Sequence, residues 1–235
     1  MSLLSTRGLS KNFDGLQAVT GVDLDLTQGE VRALIGPNGA GKTTLVGMIC
    51  GRITPTSGTV TFDGRDITHL PAHKRMLLGM AYTFQITSVF SGLPAAENVA
   101  LAARRRMPAA EVGHAVEVAL ARVGLSDRME QEAGDLSYGH QRLLEIAMGL
   151  VQNPRLLILD EPTQGLTESE VDAFKVLIRE LAGETTILLI EHNMSVVMET
   201  ADRVTVLNFG QVLAEGTPDQ VHANADVQAA YLGSG

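Results

Sequence analysis

Eight consecutive residues, Gly36-Pro37-Asn38-Gly39-Ala40-Gly41-Lys42-Thr43, constrain this chain more than any other feature. They fit the spacing G-x-x-x-x-G-K-[ST]. The apolar stretch Val31 to Ile35 precedes them and a helical pattern, Thr44 to Gly51, follows. That order predicts a buried strand, a tight turn and a helix. Glycines let backbone N–H groups turn inward with no Cβ in the way, and a helix N-terminus adds unpaired amides and partial positive charge at the same point. Such a loop surrounds phosphate. Lys42 is placed to reach β- and γ-phosphates, the Thr43 hydroxyl to ligate Mg²⁺, and Thr44 to open the helix. The segment Gly36 to Thr44 therefore predicts a nucleoside-triphosphate site.

A phosphate loop needs an acidic partner for the metal, expected on a neighbouring strand. Leu156-Leu157-Ile158-Leu159-Asp160 supplies one, with Asp160 emerging at the C-terminal end of a buried strand. Glu161 follows at once. A carboxylate one residue beyond the metal ligand points to the opposite side and can orient water against the γ-phosphate.

Composition narrows the remaining choices. A chain of 235 residues suits one large domain, or one domain with an inserted lobe. The net charge of −9 argues against a nucleic-acid surface, which shows a basic stripe. Arg104-Arg105-Arg106, the one basic cluster, reads as a solvated helix end. Cys50 stands alone, excluding an internal disulfide or a thiolate metal cluster. No apolar run approaches the roughly 20 residues of a membrane helix, and Met1-Ser2-Leu3-Leu4 lacks the features of a secretion signal. A cytoplasmic location is expected.

Periodicity divides the chain. Val22 to Leu26 alternates apolar and acidic residues, as a half-exposed strand does, and Thr59 to Phe62 ends at an Asp63-Gly64 turn. From about Pro94 to Val151 the sequence becomes rich in Ala, Leu, Arg and Glu, with helices expected over Ala95 to Arg106 and Ala109 to Val123. Apolar strands Leu156 to Leu159 and Thr186 to Ile190 then flank a helix, Glu168 to Ala182, which predicts a parallel sheet. Val204 to Leu207 and Gln211 to Glu215 flank Asn208-Phe209-Gly210 as a hairpin, and Thr217-Pro218-Asp219-Gln220 reads as a capping box. A helical lobe thus interrupts an α/β core.

Leu136-Ser137-Tyr138-Gly139-His140-Gln141, about twenty residues before Asp160, resembles the signature motif of ABC transporter ATPases, usually written L-S-G-G-Q. With the phosphate loop upstream and Asp160-Glu161-Pro162 downstream, the resemblance covers Leu3 to about Leu232. It implies a P-loop NTPase (RecA-like) core with an N-terminal antiparallel β subdomain and an inserted helical subdomain. The implied division is a single domain over 1–235, with a catalytic core over 1–90 and 152–235 and the helical subdomain over 91–151. Ser137 is a good N-cap, so Ser137 and Gly139 sit at the positive end of a helix reaching about Leu150. In the family this end meets the γ-phosphate held by a second chain, so two half-sites are completed by ATP between two subunits.

Three further residues match by position. Gln85 resembles the glutamine that joins core to helical lobe and touches the Mg²⁺–water site. His192, after Ile190-Glu191, resembles the switch histidine that hydrogen-bonds the γ-phosphate and holds the attacking water. Phe13 matches the aromatic that stacks on adenine. Two features depart from the pattern: Tyr138 and His140 within the signature, and Thr167 where the family places an acid that contacts the partner.

Within the family, Leu9 to Leu16, Phe62 to Thr68, Thr83-Phe84-Gln85, the signature and Ala214 to Pro218 resemble the ATPase subunits of branched-chain amino acid importers. Motors for urea, amide or aromatic-acid import have nearly the same sequence. The resemblance implies a second ABC ATPase chain in a homo- or heterodimer, two transmembrane permease subunits docking near Gln85 to Leu93, and indirectly a periplasmic or extracellular solute-binding protein. A soluble ABC protein would carry two cassettes or a long coiled-coil insertion, a GTPase would show N-K-x-D, and a P-loop kinase would not need Ser137 to Gly139. None of these fits.

Overall fold

The computed structural model describes residues 2–83 and 88–232. The chain runs β1 (Ser2–Phe13), β2 (Leu16–Thr27), β3 (Val31–Ile35), α1 (Lys42–Ile49), β4 (Ser57–Phe62), β5 (Arg65–Asp66), α2 (Ala72–Leu77) and β6 (Met80–Tyr82). Helices α3 (Ala95–Ala103), α4 (Ala109–Arg122) and α5 (Tyr138–Leu150) come next. The remainder is β7 (Leu156–Asp160), α6 (Glu168–Leu181), β8 (Thr186–Ile190), α7 (Met194–Thr200), β9 (Arg203–Asn208), β10 (Gln211–Gly216), α8 (Pro218–His222) and α9 (Ala225–Leu232).

Among the described residues two sheets form. An antiparallel sheet has the order β2-β1-β4-β5, and a mixed sheet has the order β10-β9-β3-β8-β7-β6. In the second sheet β6, β7, β8, β3 and β9 run parallel, and β10 closes the edge as an antiparallel hairpin with β9. The acidic strand β7 is not the neighbour of β3 that its sequence led us to expect: β8 lies between them. Parallel strands end on one side, so β8 adds its own C-terminal end between those of β3 and β7. Ile35, Ile190 and Asp160 finish β3, β8 and β7 along one sheet edge, where loops of an α/β sheet build ligand sites.

The central strands read as continuous apolar runs because both of their faces are covered. Leu156, Ile158, Leu188 and Ile190 pack with Leu45, Met48 and Ile49 of α1 and with Leu4, Leu24 and Leu26 of the antiparallel sheet. Leu157, Leu159, Ile187 and Leu189 face the other way, onto Leu144 and Ala147 of α5 and Phe174 and Ile178 of α6. Helices α3, α4 and α5 share that second core through Val99, Leu120 and Leu144.

β2 runs past the Val22 to Leu26 alternation at both ends, and α1 begins at Lys42 rather than Thr44. Its C-terminus is closed by Arg75, whose side chain is 1% exposed. The guanidinium donates to Met48 O at 2.8 Å, Ile49 O at 2.7 Å, Leu70 O at 2.8 Å and Thr68 O at 2.8 Å. A buried cation at the negative end of a helix satisfies carbonyls that have no intrahelical partner. The helix that opens at the phosphate loop is thereby fixed at its far end.

Candidate nucleotide site

The loop between β3 and α1 holds three glycines with positive φ: Gly36 (153°), Gly39 (79°) and Gly41 (101°). Gly36 also has no room for a side chain, since a Cβ there would stand 2.2 Å from Leu207 O. A Cβ on Gly41 would meet Ala18 O at 2.6 Å. Gly41 is the N-cap of α1 and offers no capping side chain, which leaves the first amides of the helix to an outside acceptor.

Neighbouring elements clamp this loop. The turn Asn208-Phe209-Gly210 between β9 and β10 reaches it through Gly210 N, which donates to Ala40 O at 2.9 Å. Thr20 N of β2 donates to Gly210 O at 2.8 Å. The predicted hairpin turn therefore doubles as a wall of the site, a role its local sequence does not announce.

Among the described residues, Leu16, Gln17, Ala18, Asn38, Gly39, Ala40, Gly41, Lys42, Thr43, Thr44, Glu161, Phe209 and Gly210 line one cleft of about 420 Å³. Lys42 folds back across the loop, donating from Nζ to Gly36 O at 2.6 Å and Pro37 O at 3.1 Å. Burial pulls its ammonium below the ordinary lysine value, against the attraction of Glu161 and Asp160. A γ-phosphate would supply the full counter-charge that these two carbonyls lack.

Glu161 follows Asp160 in the left-handed region, with φ of 50°. That turn separates the two carboxylates. Asp160 is buried and accepts a hydrogen bond from Tyr82 Oη at 2.7 Å on Oδ2. Burial pushes its carboxyl above the ordinary aspartate value, opposed by the Tyr82 hydrogen bond. Glu161 Oε1 instead lies 2.7 Å from His192 Nε2. The imidazole is exposed, directly after β8, so the inserted strand brings the histidine to the carboxylate.

The buried carboxylate of Glu191 escaped our reading of the sequence. It accepts from Thr163 N at 3.0 Å and Thr163 Oγ1 at 2.5 Å, and from His192 N at 2.9 Å and Asn193 N at 3.0 Å. One side chain thus fixes both the loop after Glu161 and the backbone that carries His192. Its contacts span 28 residues, and no local pattern marks it.

Ser137 caps α5, its Oγ accepting from His140 N at 3.2 Å. Ser137 and Gly139 are not among the residues lining the cleft. Gly139 and Tyr138 pack instead on the start of α6 and the loop before it: a Cβ on Gly139 would stand 2.8 Å from Glu170 Oε1, and one on Gly165 would stand 2.6 Å from the Tyr138 ring. Tyr138 therefore fills a space that Gly165 leaves, and its hydroxyl accepts from Arg142 at 3.1 Å. Thr167 caps α6 in a full capping box with Glu170, which gives the departure at this position a duty within the chain.

Phe13 is 43% exposed with Lys11 Nζ 4.9 Å from its ring centroid. It pairs in register with Leu16, a cleft residue. Gln85 lies outside the described residues. Among the described residues no three His, Cys, Asp or Glu side chains gather into a metal cage. The hard oxygen donors available, the Asp160 carboxylate and the Thr43 hydroxyl, suit Mg²⁺, which keeps most of its shell for water and phosphate.

A phosphate loop on a parallel sheet, with an acid, a second carboxylate and an imidazole at the same edge, defines a nucleoside triphosphatase of the phosphate-loop class. Residues 19–164 match the family model described as ABC transporter, and residues 211–235 match one described as branched-chain amino acid ATP-binding cassette transporter. The high-affinity branched-chain amino acid transport ATP-binding protein BraF of Pseudomonas aeruginosa is 42% identical, with 98% of each chain covered. LivG of Escherichia coli, with the same description, is 39% identical over 98% of each chain. A nucleotide-free ATP-binding cassette from an ABC transporter aligns with a TM-score of 0.88 at 28% identity, covering 98% of this chain and 99% of that one. An ABC transporter cassette in its ADP conformation aligns with a TM-score of 0.89 at 29% identity over the whole of both chains. The chain belongs to the ABC transporter family, as one of its ATP-binding cassettes.

Proposed function

We propose that the chain is the ATP-hydrolysing subunit of an importer for branched-chain amino acids, acting as one of a pair on the inner face of the membrane. The contact between Glu161 and His192, beside the cleft that Lys42 and Glu161 share, carries the hydrolytic part of the reading. A carboxylate and an imidazole joined in this way can hold a water molecule and take its proton as it attacks. The cargo rests on the likeness to BraF and LivG over 98% of the chain.

In this reading the loop Gly36 to Thr44 cradles the phosphates with its backbone N–H groups (Pro37 has none), Lys42 releases its loop carbonyls to bind the β- and γ-phosphates, and Phe13 stacks on adenine. Mg²⁺, held by Asp160 and Thr43, would neutralise phosphate charge. The family resemblance alone supports Gln85 at the metal water. Glu161 positions the nucleophilic water and His192 stabilises the charge that develops on the γ-phosphate.

Ser137 and Gly139 act in trans. They stand at a helix N-terminus that does not line their own chain's cleft, and such an end suits the γ-phosphate of a second chain. We place the helical subdomain at 91–151, with catalytic core and β subdomain at 1–90 and 152–235. Two transmembrane permeases would dock beside residues 85–93, and a periplasmic or extracellular solute-binding protein would read the cargo. No helix among the described residues is long and apolar enough to cross a membrane, consistent with a peripheral subunit.

The test is Glu161→Gln. Phosphate release is expected to fall about 10²- to 10⁴-fold, while Mg²⁺–ATP still binds and a dimer accumulates on sizing. Hydrolysis at the parental rate would reject the role of Glu161.

A further inference from the structure

The carboxylate read as the metal ligand is itself held from the side by a tyrosine. Tyr82 is the last residue of β6 and pairs in register with Ile158 of β7, which sets its side chain near the strand end that carries Asp160. Its hydroxyl donates to Asp160 Oδ2 at 2.7 Å. The same hydroxyl accepts from Arg52 Nη1 at 3.1 Å, and the Arg52 guanidinium lies 5.3 Å from the centroid of the Tyr82 ring. Three elements thus converge on one carboxylate: the turn after α1, β6 and β7.

The chemistry of this chain of groups is specific. The terminal torsion of a carboxylate is broad and nearly two-fold, so an aspartate with no second partner presents its oxygens in many directions. Fixing Oδ2 removes that freedom and leaves Oδ1 for an ion. The donor has to be neutral, because a guanidinium in direct contact would cancel the charge that draws Mg²⁺. Here the arginine is set one group back, where it polarises the phenol and strengthens the hydrogen bond while acting on the acid through space rather than by direct contact.

We propose that Tyr82, supported by Arg52, is the positioning residue for the Mg²⁺ carboxylate of Asp160. The inference rests on the reading of Asp160 as metal ligand. Hydrogen-bond partners behind a metal-bound carboxylate typically contribute 10- to 100-fold in metal affinity or activity.

The test uses the full chain, the variants Tyr82→Phe, Arg52→Ala and Asp160→Asn, and two readouts. One is the Mg²⁺ midpoint for tightening of a fluorescent ATP analogue; the other is Mn²⁺ binding in the presence of ATP, followed by paramagnetic resonance. Tyr82→Phe keeps the ring and its stacking but loses the hydroxyl. It is expected to bind the analogue in EDTA within twofold of the parent and to raise the metal midpoint about tenfold or more. Arg52→Ala should move the midpoint the same way, by about twofold to tenfold.

A purely structural tyrosine would lower the melting temperature and leave the midpoint in place, and that result overturns the proposal. Should Tyr82→Phe fail to fold, an unshifted midpoint in Arg52→Ala, a change at an exposed side chain, overturns it equally. Asp160→Asn separates the two readings. If it keeps the parental metal response, the assignment of Asp160 fails; if it loses that response while Tyr82→Phe does not, only the role of Tyr82 fails.

Discussion

Glu161 occupies backbone space that side chains avoid, and the reason lies in what flanks it. An L-residue at φ of 50° pays about 1–2 kcal/mol in contact between Cβ and backbone. In return the chain turns Asp160 inward to Tyr82 and Glu161 outward to His192. Glu161 N donates to Ile190 O at 2.9 Å, so the strained turn is anchored to β8. Glycine would adopt the same conformation without strain. Glu161→Gly is therefore expected to hold or raise thermal stability while hydrolysis falls at least 100-fold. A loss of more than about 1 kcal/mol in chemical denaturation would contradict the strain argument.

Helix α6 begins with Thr167, whose hydroxyl accepts from Glu170 N while Glu170 Oε2 accepts from Thr167 N at 2.8 Å. Thr167→Ala removes the cap and is expected to cost about 0.5–2 kcal/mol, whereas Thr167→Asp keeps an N-cap acceptor and stays within about 0.5 kcal/mol of the parent. Urea denaturation distinguishes them, and equal losses in both variants would show that the cap is not what Thr167 supplies. The boundary of α6 was legible because caps, acids in the first turn and apolar spacing lie within a few residues of one another. The strand, loop and helix around Gly36 to Thr43 were legible for the same reason, as was the run ending at Asp160. Strand order was not. The sequence of Thr186 to Ile190 marks a buried strand, but nothing in it says that the strand inserts between β3 and β7. Tyr82 and Glu191 stayed hidden likewise, since Asp160 lies 78 residues from Tyr82 and Thr163 lies 28 residues from Glu191. A polar side chain gains its role from a neighbour that the fold alone brings near.

On the scale of the whole molecule the phosphate loop and the N-terminus of α5, the two surfaces proposed to bind phosphate, do not share a cleft. The loop after β3 opens into a cleft with Glu161, while the N-terminus of α5 packs against the loop before α6 and does not line that cleft. In the proposed reading one chain then holds Glu161, the His192 imidazole and the phosphate cradle, and a second chain brings the helix N-terminus to the γ-phosphate. Two chains related by a two-fold axis would each complete the site of the other, in the isologous manner common to symmetric pairs. The measurement that bears most directly on this account is the rate of ATP hydrolysis per chain against chain concentration, with oligomeric state followed by sedimentation at the same concentrations. The account predicts a rate per chain that climbs with concentration and levels off as dimer fills. A constant rate per chain, in a sample that remains monomeric with ATP throughout, would contradict it.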